Sequence, residues 1–114
     1  MEEENIQSKI RELEKINESN FEEDLFERKL YEVSFETNKI SDFIYLANMA
    51  RWAEFNDESR AIEIAGNLMD KAIDTAVKEK RLEELEEIHF ELEAGLEMED
   101  RAQEVKEIIK QHKQ

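Results

Sequence analysis

The chain has no cysteine, no proline, only two glycines (Gly66 and Gly95), and no long apolar run. Without cysteine there can be no disulfide, thiolate metal site or cysteine nucleophile. At 114 residues the fold must rest on a packed core, and a chain of this length can bury roughly 65% of its unfolded surface. The lack of cysteine fits a reducing compartment. No apolar stretch approaches the roughly 20 residues needed to cross a bilayer. The opening Met1-Glu-Glu-Glu-Asn5 is acidic, the reverse of the basic start of a secretory signal. A single cytoplasmic domain spanning residues 1–114, with no membrane partner, is the expectation.

Positive charge is scarce too. Lys and Arg number 16 against 31 Asp and Glu, for a net charge of −15. Residues 1–36 carry 12 acids and 5 bases, residues 37–78 carry 7 and 5, and residues 79–114 carry 12 and 6. The centre is therefore nearly neutral between two acidic flanks. Such a surface repels phosphate backbones, which argues against direct nucleic-acid binding and favours a basic protein partner. The same charge also keeps a protein soluble with no partner at all.

Helix formers dominate what is present. Glu, Lys, Ala, Leu and Ile recur, and turn residues are too few for an all-β or α/β domain. The apolar positions repeat at helical steps and define an all-α fold of about six helices. Ile6, Ile10, Leu13 and Ile16 form a narrow stripe over residues 3–17. That stripe is too short for a coiled coil, but it leaves self-association open. A second helix is expected over residues 20–36 with Phe21, Leu25, Phe26, Leu30, Val33 and Phe35, after a capping box at Ser19 and Glu22. Thr37 or Asn38 caps the third helix, over residues 39–55, which is apolar on most of its circumference.

Asn56-Asp57 makes the next turn and opens a fourth helix over residues 58–78. Lys78-Glu-Lys-Arg81 contains no good breaker, so helices four and five are either continuous or joined by a tight turn. The fifth ends at Gly95, read as a left-handed cap, and the sixth covers residues 99–111. Residues 40–77 hold Trp52 and the alanines 47, 50, 53, 61, 65, 72 and 76. Such small residues let helix axes approach closely, and Gly66 suggests one close crossing.

Six helices broken every 15–20 residues suggest three hairpins. Arg60-Ala61-Ile-Glu63-Ile64 recurs as Arg101-Ala102-Gln-Glu104-Val105, a period near 40 that suits stacked helix pairs. Trp52-Ala-Glu-Phe-Asn56-Asp57-Glu-Ser-Arg-Ala61-Ile62-Glu63 resembles the middle of a tetratricopeptide repeat. Trp52 stands for the aromatic near the end of that family's first helix, Asn56-Asp57 for its glycine-acid turn, and Ala61 for its packing alanine. The resemblance covers about 12 residues. The closing proline is missing, the fourth helix is longer than the family's second, and the period is near 40 rather than 34. It implies three stacked antiparallel hairpins, tetratricopeptide-like or a small helical bundle, and a habit of binding proteins rather than a chemistry.

No phosphate-cradling glycine loop, hydrolase elbow or zinc helix is present, so the chain reads as non-enzymatic with no cofactor. Glu86-Glu-Ile-His89 has the Glu-x-x-His spacing of di-iron bundles, but those sites need a second copy, and Ile109 stands where a glutamate would precede His112. Glu22-Glu-Asp24 and Glu97-Met-Glu-Asp100 lack the alternating ligands of a calcium loop and suit helix first turns. No metal site is expected. Tyr45, Asn48, Arg51 and Trp52, at i, i+3, i+6 and i+7 on helix three, are the candidate partner-binding residues, because Tyr, Trp and Arg are enriched at binding hot spots. For Trp52 the favoured reading is that it completes the core against helices one and two. The function expected is an adaptor or scaffold binding a protein or peptide beside helix three. The alternative is an acidic helical inhibitor that mimics nucleic-acid charge.

Overall fold

The computed structural model describes residues 2–19 and 21–113; Met1, Asn20 (expected to open the second helix) and Gln114 lie outside them. Six helices follow in order: α1 (Glu2–Ser19), α2 (Glu23–Glu36), α3 (Ile40–Arg51), α4 (Glu58–Lys78), α5 (Leu82–Phe90) and α6 (Glu99–Lys113). A π turn, Glu91–Gly95, prolongs α5, and no strand occurs among the described residues. The all-α expectation is met. Helices that follow one another in sequence pack on one another, in a slab of 48 × 35 × 17 Å. None of the described helices is long and apolar enough to cross a membrane.

The seam between α3 and α4 is the centre of the core. Ala47 and Ala50 on one side meet a helix whose buried face holds Ala61, Ala65, Ala72 and Ala76, with Leu46, Leu68 and Met69 filling the space around them. Ile10 and Leu13 carry α1 onto the core, and Phe26, Leu30 and Val33 carry α2. Leu85, Ile88, Leu92, Leu96, Ala102 and Val105 do the same for the last hairpin. Phe21, Phe26 and Phe55 meet edge to face at 5.0–5.9 Å. Phe35, by contrast, is 78% exposed, its ring covered only by the Lys71 ammonium 3.6 Å from the centroid.

The repeat seen in sequence has a structural counterpart. Arg60 on α4 reaches back to Glu23, Asp24 and Glu27 on α2, and the Asp24 and Glu27 carboxylates hold its guanidinium even more firmly protonated than usual. Arg101 on α6 reaches back to Asp70 on α4 at 3.1 Å. In both cases the alanine that follows, Ala61 or Ala102, is buried. Each later hairpin thus clamps its second helix to the second helix of the hairpin before it.

Several boundaries differ from the expectation. α1 runs on to Ser19, whose hydroxyl donates back to the Lys15 carbonyl at 2.8 Å instead of capping α2. The residue before α2 is Glu22, which makes no capping bond. Lys39 precedes α3, and Thr37 holds it there by accepting from the Lys39 amide while donating to Asp42. Asp57 does cap α4, accepting from the Ser59 amide at 3.0 Å, and that bond and the Ser59 hydroxyl keep its carboxyl below the ordinary range. Helices α4 and α5 are separate, joined by a tight turn with Lys80 left-handed at φ 54° and the Arg81 amide bonded to the Ala76 carbonyl.

Both glycines serve close approach. Gly95 is not left-handed; Glu97, at φ 56°, takes that role. A Cβ at Gly95 would lie 2.9 Å from a Glu91 carboxylate oxygen, so the small residue makes room for that side chain inside the π turn. At Gly66 the neighbour is the Arg101 guanidinium, 2.7 Å from a Cβ placed there, and not another helix backbone. Because that neighbour is the end of a flexible side chain, it can give way. Gly66→Ala should therefore leave stability within about 1 kcal/mol of wild type in urea unfolding, the helix-propensity gain offsetting a disturbed surface pair with Asp70.

Candidate functional site

The four candidate residues on α3 do not form one surface. Successive helical residues turn by about 100°, so Arg51 points about 120° away from Tyr45. The helix also ends at Arg51 rather than reaching Phe55, because Trp52 leaves helical geometry at φ −106°, ψ 10°. The four therefore divide into two pairs with different work.

Arg51 and Trp52 face the π turn. Arg51 is only 8% exposed, and its Nε donates to the Leu96 carbonyl at 3.1 Å. Its guanidinium lies 4.3 Å from the centre of the Trp52 ring, with Glu58 and Glu97 at 3.6 and 3.9 Å. Trp52 is 55% exposed, yet its indole N–H donates to the Gly95 carbonyl at 3.1 Å. The end of a helix leaves its last carbonyls without intrahelical partners, and these two side chains take up those of Gly95 and Leu96. Arg51 is thus part of the fold and not of an open binding surface. Trp52 does both: one edge docks the π turn and one face remains open.

Tyr45 and Asn48 face α1. With Met49 they form one wall of an open groove of about 300 Å³ whose other wall is Glu14, Asn17 and Glu18. Tyr45 is 47% exposed and donates its hydroxyl to a Glu14 carboxylate oxygen at 2.7 Å. That bond, partial burial and the charges of Glu14 and Glu18 push the phenol above its ordinary value of 10.0. Asn48 donates to the Ile44 carbonyl at 3.0 Å and to Glu91 at 3.3 Å, so it links the groove to the π turn. Glu14, Asn17, Glu18 and Met49 were not singled out from sequence. Asn17 continues the step of the apolar stripe after Ile10 and Leu13, and a polar residue at that register is the one local sign of a cleft.

The groove's lining presents a phenol bonded to a carboxylate, a thioether, two amides and a second carboxylate. Elsewhere the Glu-x-x-His motif is not assembled, since Glu86 meets Lys113 at 3.3 Å and His89 meets Glu93 at 3.4 Å. Among the described residues no group of three or more His, Cys, Asp or Glu could hold a metal ion. The chain matches no protein-family model, no curated protein and no solved structure.

The two pairs should separate in stability measurements. Arg51→Ala removes a buried charged donor and should cost about 2–3 kcal/mol in urea unfolding, whereas Tyr45→Ala on the groove wall should cost under about 1 kcal/mol. Ultraviolet titration should place the Tyr45 phenol above 10.0, and Glu14→Gln should bring it down. The sign for stability follows: the native state holds this proton more tightly than the unfolded chain. Its contribution is therefore complete below the unfolded value and is lost as pH rises through the folded one.

Proposed function

We propose that the chain is a non-enzymatic interaction module, an adaptor or scaffold built of tetratricopeptide-like stacked hairpins, that takes a protein or peptide segment in the groove between α1 and α3. One observation carries the reading. On a helix whose other large apolar residues are buried, Tyr45 stays open beside Met49 and faces a second helix across a cleft. Trp52 lies two turns beyond Tyr45 with its indole N–H already fixed, so its ring is presented at little cost in side-chain freedom. Rigid aromatic surface of this kind is what protein-binding sites use as anchors. The cysteine-free composition suits a cytoplasmic setting.

The alternative, a nucleic-acid mimic, calls for acids gathered on one continuous face. Exposed acids instead occur on five helices, among them Glu12, Asp24, Glu63, Glu83 and Glu104, and no particular feature favours that reading.

A photo-cross-linking residue tests the groove. Installed at position 45 or 49 in the host cell, it should trap a discrete partner band that is absent when the same residue replaces Phe35 or Phe90, the exposed aromatics of α2 and α5. Equal labelling at all four positions, or none at 45 and 49, would count against the groove.

A further inference from the structure

The groove described above also carries a statement about the chemistry of its occupant, which rests on the interaction-module reading. Its rim is acidic and nowhere basic. Glu14 and Glu18 stand four residues apart along α1, and Glu91 closes the far end through Asn48. Arg11 and Lys15, the cations of the same stretch of α1, do not line it. Of the cations on neighbouring elements, Lys29 bonds to Glu12, Arg51 to Leu96, and Arg60 to Glu23, Asp24 and Glu27. Glu14 and Glu18 line the groove opposite Tyr45, whose hydroxyl donates to Glu14 at 2.7 Å.

The α3 wall carries its aromatic and thioether side chains at the same spacing. Tyr45 and Met49 are also four residues apart, so each wall repeats at about 6 Å along its helix axis. An occupant with cations at i and i+4 on one edge, and apolar side chains at the same interval on the next, meets both walls at once. That arrangement is the amphipathic helix, and laying its apolar face into a groove between helices is a recurrent mode of peptide recognition. We infer that the α1–α3 groove binds a basic amphipathic helix, its Lys or Arg side chains against Glu14 and Glu18 and its apolar face on Tyr45 and Met49.

The test uses the full chain and a synthetic helical peptide of arginine, leucine and alanine, free of tryptophan so that Trp52 fluorescence reports binding. A peptide of the same composition, rearranged to have no apolar face, is the control. Glu14→Lys with Glu18→Lys should weaken binding about tenfold or more, as two attractive pairs become repulsive. Glu83→Lys with Glu87→Lys makes the same charge change on α5 and should weaken it less than about threefold, since only the screened long-range field is altered. Glu14→Gln with Glu18→Gln should fall between, which guards against misfolding of the reversal variant.

Equal losses for the α1 and α5 reversals would mean that the peptide feels only the net charge of −15, and would overturn the inference. Equal binding of the rearranged peptide would overturn it as well. If no basic peptide binds while cross-linking at position 45 still traps a partner, the occupant is not a basic helix but the interaction module stands. If both fail, both readings fall.

Discussion

Everything else in this fold is arranged around the close packing of α3 on α4. Alanines on the buried faces of both helices allow close packing, and Leu46, Leu68 and Met69 are fully buried beside them. Lengths matter as well. α3 has 12 residues and α4 has 21, about 18 Å against 32 Å at 1.5 Å per residue. Since α3 cannot cover its partner along the whole length, α4 overshoots and α5 packs on it. The tight turn at Lys80 is what allows α5 to fold back at once.

The same shortness explains why α3 ends in polar chemistry. A helix that stops at Arg51, with a chain that then turns toward Phe55 in the aromatic cluster, places an arginine and a tryptophan at the boundary with the last hairpin. The end of the π turn meets them with the Gly95 and Leu96 carbonyls, which the termination of the helix leaves unpaired. Burying a guanidinium without acceptors would be strongly unfavourable, and here Leu96 supplies one while Trp52 supplies a ring face. The junction is therefore specified in both directions, because each side lacks what the other provides. Asn48, bonded to Glu91 on that turn and lining the groove, makes the position of the last hairpin part of the groove's shape.

How much of this could be read from the chain differs from feature to feature. Helical periodicity located all six helices, because it reports burial directly, and the buried alanines of α3 and α4 stood out by composition. The arginine–alanine repeat at Arg60 and Arg101 was legible as a pattern; its role as a clamp needed the distances to Glu23 and Asp70. Ends were harder. Nothing between Ala50 and Asn56 breaks a helix by propensity, so the stop at Arg51 comes from tertiary docking, which local preference cannot report. Gly95 looked like a cap because glycine usually is one there; the requirement it meets is room for Glu91. The groove was half visible. Tyr45 and Asn48 could be named from α3 alone, but Glu14, Asn17 and Glu18 join them only because α1 lies alongside, and no spacing within α1 says which helix it will face.

The charge distribution connects the fold to the groove. The chain has few cations, and its arginines at 51, 60, 81 and 101 all bond to acids or carbonyls within the molecule. Basic side chains are thus drawn toward the seams between helices, where partial removal from water strengthens each pair. The acids, nearly twice as numerous, are left in excess at the surface. Self-repulsion among them opposes compaction, and the arginine clamps between successive hairpins act against that repulsion where it would otherwise spread the stack. The outcome is a molecule whose inter-helix arginines each sit among carboxylates and whose open edges keep the remaining acids. The α1–α3 cleft, lined by Glu14 and Glu18, is one of those edges.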